Sequence, residues 1–459
     1  VELVDYRPAY ATQEQFTDLG NARRLVDEHG HQLRYVPDFG CWHCWDGTRW
    51  QRDRDGEVYR RAKLSTRSML HEAADMESDQ RRRDLVRHAQ RSQSESRLSA
   101  MVSLAESELD VIARADELDA DPYLFNCANG TVDLRSGELV PHDPQHLLTK
   151  LAPVTYDPDA ESKAWSAFLE RTFDGDAELE GFFRRAIGYS LTADPCEEKV
   201  FFAHGPGATG KTTAFEIIRA ALGDYATSVD FGSFLRRRDS GGPRNDVARL
   251  VGARLVVGAE VNEGQHLAEG LIKWVSGGDV IVARMLYKEH IEFRPAFTIW
   301  LAANARPRVN ADDDALWRRL IQVPFLNVVP PAERDPQLKR KLREPDQLCA
   351  VLAWAVRGCL EWQQRGLDVP ATVTDYTSEY RTENDPIASW LRDHCELAAT
   401  STLSKKDARD SYEAWATASG EQPISPKAFG SALKAKGVSE GRTGSTRYWQ
   451  GIRLAGGVL

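Results

Sequence analysis

The sequence predicts an α/β fold. A mainly parallel sheet lies in the middle of the chain, an α+β and helical region precedes it, and a small helix-and-hairpin module follows it. Three observations carry this reading. Residues 196–345 alternate short apolar strands with helices. Within them a buried-type strand, Lys199 to His204, runs into a glycine-rich loop and then a helix. From about 331 to 395 the alternation gives way to helical patterns alone.

Bulk properties bound the classes. The 459 residues are 42% hydrophobic and 28% charged, within the globular range. At roughly 150 residues per domain, the length allows about three domains. The net charge of −10 argues against a chain that coats nucleic acid with its whole surface, but leaves a basic channel or tail open. The seven cysteines are scattered and odd in number. They form no disulfide framework, so a reducing interior is expected. Cys41 and Cys44 make one CxxC pair. A zinc site needs about four ligands and no second pair exists, so the segment reads as a short aromatic strand or turn. No apolar run approaches the roughly 20 residues of a membrane helix. The chain opens on Val1-Glu2-Leu3, without a signal pattern or an initiator Met, and reads as a fragment or a processed chain.

In chain order, residues 1–110 form the α+β and helical region. Leu33 to Tyr59 alternates apolar and polar residues, with turn signals at Asp46-Gly47 and Asp55-Gly56, which predicts a hairpin or meander. Leu64 to Leu109 reads as helical throughout. Arg81, Arg82, Arg83, Arg87, Arg91 and Arg97 make it locally basic, either as a solvated face or as a DNA-facing one. Residues 111–195 come next. Pro122 to Arg135 reads as strand, turn, strand, with the tight-turn pair Asn129-Gly130. Ser162 to Leu191 reads as two amphipathic helices, with Trp165, Phe168, Leu169 and Phe173 in the core. After the sheet region come a helical segment, 346–398, and a module, 399–459, with helices at Ser404–Ser419 and Ser425–Lys436 and an aromatic hairpin around Thr443 to Trp449. The module suits a winged helix, with Lys427, Lys434 and Lys436 near the second helix and Arg442, Arg447 and Tyr448 on the wing. Winged helices also serve as protein contacts.

Gly205-Pro206-Gly207-Ala208-Thr209-Gly210-Lys211-Thr212 fits GxxxxGK[ST] at every fixed position. Glycines let backbone N–H groups approach phosphate oxygens, and the helix that starts there adds a positive dipole. The string predicts an ATP site spanning Gly205 to Thr213. In it Lys211 reaches the β and γ phosphates and the Thr212 hydroxyl ligates Mg²⁺.

The other parts of a nucleotide motor follow in order. Leu255 to Val257 is a buried-type strand with Glu260 just past its end, where an acid polarises water and reaches the metal. A third strand, Phe297 to Asn304, ends on an Asn, which is either a turn cap or a sensor of the γ phosphate. Arg318 and Arg319 precede an apolar strand and suit an arginine finger. Salt bridging near Asp312-Asp313-Asp314 is the other reading. Val280–Leu286 and His290–Phe293 read as a hairpin with Tyr287, Lys288 and Glu289 near its tip. It is either a plain surface hairpin or a channel loop in which Lys288, with His290 nearby, holds a DNA phosphate.

The ordered set resembles the superfamily 3 helicases of the phage and plasmid primase–helicase type, related to poxvirus and papillomavirus replicative helicases. The residues that carry the resemblance are Gly205 to Thr212, Glu260, Lys273 to Arg284 with Ser276-Gly277-Gly278-Asp279, Asn304, and Trp317-Arg318-Arg319. Upstream, Phe125 to Leu134, Gly137-Glu138-Leu139, Thr17 to Arg24 and Leu33-Arg34-Tyr35 resemble the segment before the motor in that family.

The resemblance implies an AAA+-like core at 196–345 behind a helical collar at 111–195. It also implies a hexameric ring with ATP between subunits, Lys273 among the DNA contacts, and 3′-to-5′ travel on single-stranded DNA at forks. A primase or origin-binding partner and a bacterial cytoplasm, as for a phage or plasmid protein, go with it. No paired carboxylates at the front suggest primer synthesis. Two other readings stand beside the helicase: an assembly or defence ATPase that switches a protein partner, and an origin binder with a vestigial site. The intact Lys211, Glu260 and Arg318-Arg319 set counts against the last.

Overall fold

The computed structural model describes residues 14–235, 250, 252–259, 265–278, 281–284, 290–311, 313–419, 423–443 and 446–455. The front module begins with α1 (Asp18–His29), started by the Thr17 side chain accepting from Gly20 N at 3.1 Å. An antiparallel meander follows: β1 (Leu33–Val36), β2 (Cys41–Trp45) and β3 (Trp50–Arg52). Cys41 and Cys44 lie in β2, and no group of metal-ligating side chains occurs among the described residues.

The stretch expected as one helical run is three helices: α2 (Glu57–Ala74), α3 (Asp79–Ser92) and α4 (Glu95–Ala105). Tyr59 therefore belongs to a helix rather than to the meander. Asp53 starts α2, accepting from the backbone N–H groups of Gly56, Glu57 and Val58 at 2.8–2.9 Å. Ser78 and Ser94 stand at the N-caps of the next two helices. Buried Asn21, His88 and Ser92 share hydrogen bonds that pin α1 to α3.

A second antiparallel meander, β4 (Leu124–Cys127), β5 (Gly130–Asp133) and β6 (Glu138–Val140), leads to α5 (Lys163–Thr172) and α6 (Ala177–Tyr189). Gly130 sits at φ +156°, and a Cβ there would lie 2.5 Å from Val140 O. Trp165, Phe168, Leu169 and Phe173 are buried in one cluster with Phe183, Trp300 and Trp354.

The central sheet is built from β7 (Val200–His204), α7 (Lys211–Leu222), β8 (Ala226–Asp230), β9 (Leu255–Ala259), α8 (Glu269–Ser276), the antiparallel pair β10 (Ile281–Arg284) and β11 (His290–Phe293), β12 (Thr298–Ala303), α9 (Asp314–Trp317) and β13 (Leu320–Pro324). Its order is β13-β7-β12-β9-β8 and every pairing is parallel. Apolar runs such as Val200-Phe201-Phe202-Ala203 suit strands covered on both faces. Phe201 and Ala203 enter one core and Val200 and Phe202 the other. Arg254, just before β9, is fully buried. It donates to Leu191 O at 2.8 Å and Leu124 O at 2.7 Å and stacks on Tyr225, tying the sheet to the second meander.

Beyond the sheet come α10 (Leu338–Leu342), α11 (Pro345–Arg365), α12 (Ala371–Glu383) and α13 (Pro386–His394). The tail follows with β14 (Cys395–Ser404), α14 (Lys405–Ala418), α15 (Pro426–Ala435), β15 (Ser439–Thr443) and β16 (Thr446–Leu454). Its sheet order is β14-β16-β15, antiparallel, over a core that includes Trp390, Tyr412, Phe429 and Trp449.

Two glycines set how closely α6 and α11 cross. A Cβ on Gly188 would lie 2.1 Å from Cys359 N, and one on Gly358 would lie 2.2 Å from Arg184 O. Backbone cannot yield as a flexible side chain can. Gly358→Ala is therefore expected to cost about 3 kcal/mol, the upper end for overpacking. Denaturant unfolding measures it, and wild-type stability in that variant would mean the helices do not approach this closely.

Candidate nucleotide site

Three strand ends lie side by side. Ala303 of β12 pairs with His204 of β7, and Ala302 pairs with Ala259 of β9. Gly205 therefore begins its loop one strand spacing, about 4.8 Å, from the exit of β12. Asn304 stands exposed at that exit. Glu260 follows Ala259 in sequence and lies outside the described residues, as does Glu263.

The loop's conformation explains its composition. Gly205 has φ +156°, and a Cβ would meet Phe325 O at 1.8 Å, so no other residue fits there. Ala208 and Gly210 also have positive φ, +63° and +90°. Around Gly207 a Cβ would meet nothing within 4 Å, which leaves the mouth of the loop open. Buried Thr209 donates to Pro206 O at 3.1 Å and braces the turn. α7 starts at Lys211 with Gly210 as its N-cap, and no side chain caps it. Its first backbone N–H groups and the positive end of its dipole are thus free of a capping acceptor. Thr212 is exposed and Thr213 half-buried in that first turn.

Lys211 is 7% exposed and lies inside the loop. Its Nζ donates to Gly205 O at 2.7 Å, Pro206 O at 2.8 Å and Thr209 Oγ1 at 3.1 Å. Burial pushes its pKa down to about 8. A buried ammonium held by neutral oxygens, beside an uncapped helix start, is a donor set made for an anion. This fits a phosphate group.

Beside the loop the structure contains a cluster that sequence reasoning missed. His204 Nδ1 shares a 2.7 Å hydrogen bond with Tyr376 OH of α12. Burial, then the charges of Arg306 and Lys211, push the His204 pKa down to about 4, so the ring is neutral at pH 7. Arg306, two residues past Asn304, lies over the Tyr376 and Tyr380 rings at 4.7 and 5.3 Å and donates to Gln322 at 2.9 Å and Glu383 at 2.5 Å. This cluster fastens α12 to the end of the loop strand. The sequence signals were a His at the end of an apolar strand and an Arg before Pro307.

Arg318 and Arg319 lie at the opposite end of the sheet. Val200 N, at the start of β7, donates to Arg319 O at 2.8 Å, and five strand residues, about 16 Å, separate that end from the loop. Arg319 is buried, ion-paired with Glu198 at 2.9 Å and donating to Ala315 O at 2.9 Å. Arg318 is exposed. Neither reaches the loop of its own chain. Lys273 is ion-paired with Asp313 at 2.6 Å and joins α8 to the start of α9, so it is not presented as a free cation. The hairpin exists as β10 and β11, with Arg284 opposite His290. Tyr287, Lys288 and Glu289 lie outside the described residues.

The molecule is thus an α/β protein with a five-stranded parallel core of the phosphate-loop kind behind an α+β front region. Residues 22–174 match the D5 N terminal-like family, and residues 203–319 match DUF5906, a family of unknown function. The chain carries both domains and is a distant relative of viral proteins provisionally named as helicases. One, L207/L206 of Acanthamoeba polyphaga mimivirus, is 29% identical over 60% of this chain and 31% of its own length. Another, 022R of Frog virus 3, is 25% identical over 70% of this chain and 41% of its own length. The chain spans less than half of either relative. Among solved structures, the apo C-terminal region of NrS-1 is similar in fold, with a TM-score of 0.51 over 94% of this chain and 99% of that one, at 10% identity. The family resemblance carried by the motifs is borne out. Among the described residues no helix is long and apolar enough to cross a membrane.

Proposed function

We propose that the chain is the ATP-hydrolysing core of a replicative DNA helicase, AAA+-like, working as a ring, a hexamer by family resemblance, on single-stranded and forked DNA. One observation carries the reading: Lys211 is buried inside a loop that opens onto an uncapped helix start, beside the strand exit that presents Asn304. In this reading the loop from Gly205 to Thr213 receives the phosphates of ATP. Lys211 leaves its carbonyl partners for the β and γ oxygens. Mg²⁺, held by Thr212 and by Glu260 through water, would neutralise charge on the phosphates. Glu260 takes a proton from the attacking water, and Asn304 orients that water.

The distance of Arg318 from its own loop supports a finger offered to a neighbouring subunit. Because His204, Tyr376 and Arg306 tie α12 to the loop strand, movement at the loop is passed to the C-terminal helices. The hairpin of β10 and β11, with Lys288 and His290, is the part proposed to grip DNA in the channel, and Lys273 is a positioning group in this scheme. Travel from 3′ to 5′, a primase or origin-binding partner, DNA binding by the tail module and work inside a bacterial cell, as for a phage or plasmid protein, belong to the same reading. ATP turnover with and without single-stranded DNA tests it.

A further inference from the structure

After β13 the chain does not leave the loop but runs along it as an extended strap. Phe325 N donates to His204 O at 2.8 Å, and Val329 N donates to Ala208 O at 3.0 Å. Between these two ties the side chains alternate. Phe325 is buried in the core. Asn327 turns toward α5, where its Nδ2 donates to Arg171 O at 2.6 Å. Leu326 and Val328 stand on the other face, 53% and 44% exposed. Within residues 196–345 they are the only exposed large hydrophobics among the described residues.

Two aliphatic side chains left in solvent, on a backbone clamped to a phosphate loop at both ends, call for a flat apolar occupant that arrives with the phosphates. We infer that Leu326 and Val328 form the surface against which the base of the bound nucleotide packs. The inference rests on the nucleotide reading above and adds the base subsite to it. Nucleobase faces are apolar while their edges are polar, so aliphatic contact suits a face and leaves the edge in water. The strap's hydrogen bonds to His204 and Ala208 hold this surface at fixed distance from the loop, so no reorganisation is needed when the nucleotide arrives.

The test uses two probes on the full chain: MgATP, and Mg²⁺ with inorganic tripolyphosphate, which has the phosphates but no base. Wild type and the double variant Leu326→Ala/Val328→Ala are titrated with each by calorimetry. The expected result is an ATP affinity at least about ten-fold weaker in the double variant, since burial of such side chains is worth more than that factor, with tripolyphosphate affinity unchanged. Unchanged tripolyphosphate binding also reports an intact loop. Unchanged ATP affinity would overturn the assignment and turn this face toward a second copy of the chain. Equal weakening of both probes would overturn it too, because the strap would then merely prop the loop. Wild type that binds neither probe would overturn the nucleotide reading itself, and this subsite with it.

Discussion

Lys211→Ala is expected to remove ATP turnover, by a factor on the order of a thousand or more. In the folded chain this ammonium is buried and points to Gly205 O, Pro206 O and Thr209 Oγ1 rather than to any carboxylate. A surface lysine in a structural role would be paired and hydrated; this one lies desolvated among neutral acceptors, where a phosphate is the stronger partner. The methylene stem and the three hydrogen bonds also brace the loop, so some loss of local order accompanies the substitution. Thermal unfolding separates the two effects. A melting temperature near that of wild type with turnover gone assigns the loss to chemistry or binding. Turnover at the wild-type rate in Lys211→Ala would remove the loop from the mechanism.

Arg318→Ala is the second large effect, a loss of about 10³-fold or more in turnover with ATP binding retained, the scale of an arginine finger. The side chain is exposed at the end of the sheet opposite its own loop, while Arg319 is consumed by Glu198 and the Ala315 carbonyl. Sequence alone left the two equivalent; burial separates them. If Arg318 acts on a neighbour, mixing Lys211→Ala protein with Arg318→Ala protein should restore part of the turnover. Some interfaces in the mixture then join an intact loop to an intact arginine. Wild-type turnover in Arg318→Ala, or no recovery on mixing, would contradict a finger shared between copies.

Much of the central sheet was legible because physics leaves it few options. β7, β9 and β12 are covered on both faces and so read as largely apolar runs, and in β13 Gln322 is the one polar interruption. The loop's spacing follows from the φ angles that Gly205 and Gly210 adopt. β8 was not read, since an edge strand with Thr227 half-buried and Ser228 exposed has no apolar run to show. β14 was missed for the same reason, with Glu396, Ala399 and Thr400 exposed along it. The run from Leu64 to Leu109 read as continuous because its breaks are short and polar, and only Ser78 and Ser94 mark new starts.

In the site, local strings were readable and distant partners were not. His204 and Tyr376 are 172 residues apart, and Lys273 and Asp313 are 40 apart. No local pattern encodes either contact. The strap beside the loop is hidden likewise, because Leu326 and Val328 look like ordinary apolar residues until their exposure is known.

The most direct test of the account is ATP hydrolysis by the wild-type chain at low salt, with and without single-stranded DNA. Low salt matters because phosphate contacts weaken steeply as ionic strength rises. Turnover is expected to rise on adding DNA. Turnover of the same rate with and without DNA would contradict a DNA motor and favour an ATPase that switches a protein partner.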